Sequence, residues 1–92
     1  MVTTLILPAR LDLTVARPLA RDISELSGNV AIDASGVTHL GGLCLQILLA
    51  ARQYCEASGR SFKIADRSDD FDAALALFGV DPRHLCIPEV AA

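Results

Sequence analysis

The stretch from Val30 to Ala51 constrains this chain most. A short β-type run, Val30-Ala31-Ile32-Asp33, leads through a brief connection to Gly41-Gly42. The apolar run Leu43 to Ala51 follows at once, and only Gln46 within it is polar. A buried strand, a tight loop and an immediate helix are one unit of an α/β sheet. The first backbone N–H groups of such a helix lack intrahelical partners and carry partial positive charge. What stands in the loop therefore governs what the domain does. Here it is two glycines, neither with a reactive side chain.

Thr3 to Pro8 reads as a strand, broken at Pro8 before Arg10-Leu11-Asp12-Leu13. Proline cannot donate a ladder hydrogen bond, so this strand belongs at an edge or bulges at Pro8. Thr14 is the expected cap of a first helix whose apolar face is Val15, Leu19, Ile23 and Leu26. Pro18 requires that helix to start between Thr14 and Arg17, and Ser27-Gly28-Asn29 ends it. Asn29 to Asp33 is expected as a short central strand. The second helix runs from Gly41-Gly42 to about Ser58, with Gly59 as its stop. Ser61 to Ala65 is the next strand. Ser68 caps a third helix with Asp69, Asp70 and Asp72 in its first turns, where the helix dipole favours acids. Phe71, Leu75 and Phe78 form its apolar face and Gly79 ends it. The tail Leu85-Cys86-Ile87-Pro88 either adds a short strand or packs down. The order predicts an α/β fold, one domain over residues 1–92, with a mixed, mostly parallel sheet of about four strands and helices packed on it. Ligands and partners of such sheets meet the loops at the carboxyl ends of the strands, where Gly41-Gly42 lies.

Composition narrows the classes. At 52% hydrophobic, 92 residues make one real core. Eight scattered Lys and Arg against a net charge of −3 give no basic patch, which argues against nucleic acid. The longest apolar run is too short to span a bilayer. No leader-like segment opens the sequence, so a cytoplasmic location is expected. Cys44, Cys55 and Cys86 are odd in number and lack a Cys-x-x-Cys spacing. Cys44 and Cys55 fall three helical turns apart, roughly 16 Å, too far for a disulfide. The set Cys44, His39, His84 and Cys86 lacks metal-site spacing, so neither metal nor cofactor is expected.

The candidate residues each have two readings. Gly41-Gly42 is either an anion-binding helix start or a sharp turn that lets another chain approach; the second carries more weight, because no Gly-x-x-x-x-Gly-Lys-Ser/Thr is present. In the second helix, Leu45, Leu48 and Leu49 should face the sheet, with Arg52 and Cys55 trailing. Leu43, Ile47 and Ala50 fall elsewhere. They are either covered by the third helix or exposed as a patch, rimmed by Gln46, Arg52 and Gln53, for a partner or a homodimer. His39 has no recognisable nucleophile and carboxylate around it and reads as a partner contact. Cys44, near a helix start, is either a thiol of lowered pKa or a small buried core residue, and the core reading is favoured. No catalytic set emerges, so an enzyme is not expected.

The segment Asn29-Val-Ala-Ile-Asp-Ala-Ser-Gly-Val-Thr38, followed by an apolar helix, resembles the STAS domain, the fold of anti-sigma-factor antagonists. Arg10-Leu11-Asp12 resembles that family's Gly-x-Leu-Asp, with Ala9 in place of the glycine. The strings Leu11-Asp-Leu-Thr14, Pro18-Leu-Ala20, Leu40 to Ala51 and Phe71…Leu75…Phe78-Gly79 are similar, more narrowly, to the small STAS proteins of bacterial chemotaxis operons. The resemblance implies a non-catalytic interaction module of bacterial signal transduction whose partner is a chemotaxis histidine kinase or response regulator. It implies a partner-binding set of His39, Leu40, Gly41, Gly42, Leu43, Cys44 and Gln46. The family carries Asp and a phosphorylatable Ser where Gly41 and Gly42 stand here. A phosphate on that Ser adds about −1.5 to −2 charges, and Gly42 has no hydroxyl to accept one. The alternatives are a STAS subunit of a lipid-transport ABC complex and an anion- or nucleotide-binding module using the Gly-Gly helix start.

Overall fold

The computed structural model describes residues 2–86. Strands β1 (Val2–Ile6), β3 (Asn29–Ala34) and β5 (Phe62–Arg67) form an all-parallel sheet in the order β1-β3-β5. Between β1 and β3 the chain forms β2 (Arg10–Leu11) and helix α1 (Leu13–Ser24); β4 (His39–Leu40) and α2 (Gly42–Ala57) precede β5. Helix α3 (Asp69–Leu77) and a 3-10 turn, Pro82–Leu85, follow it. The α/β class is as the sequence predicts. The expected single sheet of about four strands is instead two parallel sheets, because β2 pairs only with β4. Pro8 breaks the first strand from the second, and the chain leaves the main sheet there.

The central strand takes the most buried positions. Val30, Ile32 and Ala34 on β3 point to the helices, level with Phe62 and Ile64 of β5. Both neighbours of β3 are parallel to it, which favours a near-continuous apolar run. The pairing of β3 with β5 shifts after Ile32, so that Asp33 faces Asp66 and Ala65 is the extra residue. Leu11, Leu48, Phe71, Leu75 and Leu85 complete the fully buried core. Leu85 thus packs down within the 3-10 turn, while Ile87 and Pro88 lie outside the described residues.

Two helix boundaries differ from expectation. Asp12, not Thr14, caps α1: its Oδ1 accepts from the Thr14 N–H at 3.0 Å and the Thr14 hydroxyl at 2.6 Å. The helix therefore starts at Leu13 and Pro18 lies in its second turn, beyond the first-turn limit that the sequence suggested. Its missing N–H leaves the Thr14 carbonyl without the usual i+4 donor. Thr14 and Pro18 are both exposed, so water can satisfy that carbonyl. Helices α2 and α3 end as predicted, with Gly59 and Gly79 at positive φ. The Arg60 and Val80 N–H groups return to the Cys55 and Leu75 carbonyls at 2.8 and 2.9 Å.

Side chains bolt the loops at both ends of the sheet. At the amino end, the Arg60 guanidinium donates to the Gly28 carbonyl at 2.6 Å and the Leu26 carbonyl at 3.0 Å. At the carboxyl end, Ser68 joins three segments. Its N–H donates to the Ala34 carbonyl, its hydroxyl donates to the Val37 carbonyl, and the same oxygen accepts from the Phe71 N–H. Ser68→Ala removes a helix cap and a cross-loop bond together. The expected loss is about 1–2 kcal/mol, read as a fall in Tm of about 4–8 °C per kcal/mol.

Three carboxylates hold turns and are drawn below their usual range by doing so. Asp12 is lowered by its bonds from Thr14, Asp33 by those from Ser35, and Asp81 to about 2 by the Arg83 side chain and N–H. A depressed carboxylate stabilises the fold above its unfolded pKa, near 3.9, and loses that contribution as pH falls through the folded value. Thermal melts should therefore show Tm falling between about pH 4 and pH 2. Asp12→Asn with Asp33→Asn, which keep a capping oxygen, should make that fall shallower.

Candidate functional site

The segment from Ala9 to Asp12 forms a strap that holds Thr38 to Cys44 against the sheet's carboxyl end. The Ala9 carbonyl accepts from the N–H groups of Thr38 and His39 at 2.7 and 3.2 Å and from the Thr38 hydroxyl at 3.1 Å. The Leu11 carbonyl accepts from the Gly41 N–H at 2.8 Å. The Asp12 carbonyl accepts from the Cys44 thiol at 3.4 Å. These bonds set where α2 begins.

The two glycines differ in what they permit. Gly41 has φ −81° and ψ 159°, extended backbone open to any residue. Its constraint is space: a Cβ there would stand 3.0 Å from the Leu11 carbonyl oxygen. At Gly42 a Cβ would meet only the Phe78 ring, at 3.6 Å, an ordinary contact. No side chain caps α2, so its first N–H groups face outward beside these glycines.

The structure divides the seven candidate residues. Leu40 is 4% and Cys44 1% exposed, so both are core residues and offer a partner no side-chain surface. Burial, with the nearby Asp12 charge second, pushes the Cys44 thiol up, opposite to the activated-thiol alternative. His39, Gly42, Leu43 and Gln46 are exposed and Gly41 is half-buried. Leu43 is 49% exposed. His39 lies in register with Arg10 across β4 and β2, and both face solvent.

Three further apolar residues join this edge. Phe78, expected in the core face of α3, is 47% exposed: it is the C-cap residue, and its ring lies toward Gly42. Leu77 beside it is exposed. Leu13, also exposed, follows Asp12, whose Cα would be 4.0 Å from a Cβ at Gly41. Leu43 and the Phe78 ring thus flank the glycine helix start, with Leu13 and Leu77 exposed on the neighbouring segments. The sequence signal for Leu13 was an apolar residue standing just before the Val15, Leu19, Ile23 and Leu26 face.

Helix α1, not α3 as one reading supposed, lies along the rest of α2, and it leaves Ala50 exposed and Ile47 half-buried. Leu45, Leu48, Ala51 and Cys55 face the core and Leu49 is half-buried. Ile47 and Ala50 line an apolar groove of about 460 Å³ with Ala20, Ile23 and Tyr54. Arg52 pairs with Glu56 at 3.0 Å. Asp69 and Asp70 are exposed in the first turn of α3, and Asp72 pairs with Arg67. Among the described residues no group of three or more His, Cys, Asp or Glu is placed to hold a metal ion, and His39, Cys44, His84 and Cys86 are not brought together. No helix among them is long and apolar enough to cross a membrane.

A parallel α/β sheet that presents an apolar, glycine-lined helix start at the carboxyl ends of its strands has the form of an interaction module. A family model described as "Mlab, STAS domain" matches residues 2–87, and the chain belongs to the STAS family. STAS domains are generally non-enzymatic modules of the anti-sigma-antagonist kind. No curated protein matches the chain significantly.

The glycine geometry gives a stability test. Gly42→Ser should leave stability within about 0.5 kcal/mol of the parent. Gly41→Asp must push the Leu11 strand aside and should cost about 1–3 kcal/mol. Denaturant midpoints at constant m-value would separate the two.

Proposed function

We propose that this chain is a non-catalytic docking module of bacterial signal transduction, acting in the cytoplasm on a chemotaxis histidine kinase or response regulator. The observation that carries the reading is the exposed apolar pair Leu43 and Phe78 beside Gly42, with exposed Leu77 adjoining Phe78 in sequence. Apolar side chains flanking a bare helix start suit a protein surface better than a small anion, since no basic or hydroxyl side chain caps the site. The resemblance to chemotaxis-operon STAS proteins supplies the partner class.

On this reading Gly42 stands where the family carries its phosphorylatable Ser. A Ser fits there sterically, since the Phe78 ring leaves ordinary contact distance. Docking at this site is constitutive, with no phosphate to repel the partner.

The test is a pull-down and titration with the chemotaxis kinase and response regulator, using wild type, Leu43→Asp and Phe78→Asp. Both positions are half exposed, so the variants should fold, which circular dichroism checks. Each should weaken binding at least tenfold, about 1.4 kcal/mol. Undiminished binding by both folded variants removes this surface from the reading. Capture by a transporter ATPase instead of either signalling protein replaces it with the lipid-transport alternative.

A further inference from the structure

We infer that the outer edge of β1 pairs antiparallel with β1 of a second copy of this chain, joining two three-stranded sheets into one. The surface is distinct from the Gly42 edge, and the inference stands whether or not that edge docks a kinase.

The backbone directions show what the edge offers. The Leu7 N–H donates to the Asp33 carbonyl at 2.9 Å. In a parallel ladder the inward bonds alternate, so Thr3, Leu5 and Leu7 bond to β3. Val2, Thr4 and Ile6 then turn their N–H and C=O groups outward, away from the sheet. Such a row has one kind of complementary occupant, another extended strand.

The two edges of the sheet are not alike. On β5, the edge strand carries Lys63, Asp66 and Arg67 and a register irregularity. Charges and bulges are the usual devices that keep an edge from pairing. On β1, Val2-Thr3-Thr4-Leu5-Ile6 has no charge, no proline and no bulge within its pairing to β3. Its exposure alternates strictly: Val2, Thr4 and Ile6 are exposed, at 43% for Val2 and 73% for Ile6, while Thr3 and Leu5 are half-buried. The helix side of the same edge is apolar apart from Asp22. Leu5, Pro8, Val15 and Pro18 line a shallow groove of about 120 Å³ between β1 and α1.

A two-fold axis at Thr4 satisfies this edge with its own copy. Thr4 exchanges both main-chain bonds with its mate, and Val2 does the same with Ile6 of the other chain. Every outward N–H and C=O of the strand then has a partner. The exposed Val2 and Ile6 side chains cover each other twice, as β-branched cross-strand pairs do. The paired strands carry no charge to repel each other across the axis. A five-residue edge falls short of the roughly 1,600 Å² of a standard interface, so the dimer is weak, with a dissociation constant on the order of 10–100 μM.

Sedimentation velocity of the full chain from about 5 μM to about 0.5 mM reads this directly, since that range brackets the expected constant. Wild type should pass from monomer to dimer across the range. Thr4→Pro removes only an outward N–H, leaves the ladder to β3 intact, and should weaken the dimer at least tenfold. Thr4→Lys and Thr4→Glu each place like charges across the axis and should weaken it several-fold, while their equimolar mixture should restore it. This charge pair keeps the test decisive if Thr4→Pro fails to fold. A wild type that stays monomeric at about 0.5 mM overturns the inference. So does a dimer indifferent to all three substitutions, or a mixture that associates no better than either charged variant alone.

Discussion

The approach of the Leu11 carbonyl to residue 41 organises this molecule. That oxygen accepts the Gly41 N–H and would stand a tight 3.0 Å from a Cβ at residue 41. With the Ala9 and Asp12 carbonyls it pins the connection after β3 to the strap between β1 and α1. The start of α2 is fixed by main-chain bonds, and its exposed residues inherit that position. A surface held this way loses little conformational entropy on docking, which is a condition for useful affinity from a small patch.

The polar groups at the carboxyl end are mostly spent on the chain itself. Asp12, Asp33, Ser68 and Asp81 each accept backbone N–H groups, and Ser68 also donates to Val37. What remains outward at the α2 start is apolar side chain and glycine backbone. This division leaves the α2 start with an apolar surface and few free polar side chains. It also explains why the loop can lack reactive groups and still be shaped with care.

Much of this was legible in the sequence, and the exceptions have physical causes. Ser68 and its three acids announced the α3 cap, and the buried run of β3 announced a central strand. Asp12 and Thr14 are both good caps two residues apart; Asp12 prevailed because its carboxylate bonds the backbone and hydroxyl of Thr14 together. The spacing of Phe71, Leu75 and Phe78 fits one helical face, but only Phe71 and Leu75 reach the core, while Phe78 at the C-cap stays half exposed. β2 and β4 are two residues each, too short for any periodicity. That α1 rather than α3 lies along α2 depends on how the crossovers wrap the sheet, and no local pattern records that. Of the candidate site, the segment was legible. Which of its side chains face outward was not, since Leu40 and Cys44 look as apolar as Leu43.

The Arg60 clamp has a mechanical meaning. Helix α2 is a rod of about 24 Å by its rise per residue. One end lies under the strap at Gly41. The other passes through Gly59 to Arg60, whose guanidinium grips the carbonyls of Leu26 and Gly28 just ahead of β3. A load applied at Leu43 therefore travels the length of the rod and enters the central strand, instead of being absorbed in a loop. The α2 start is thereby braced from the opposite end of the sheet as well as by the strap beside it.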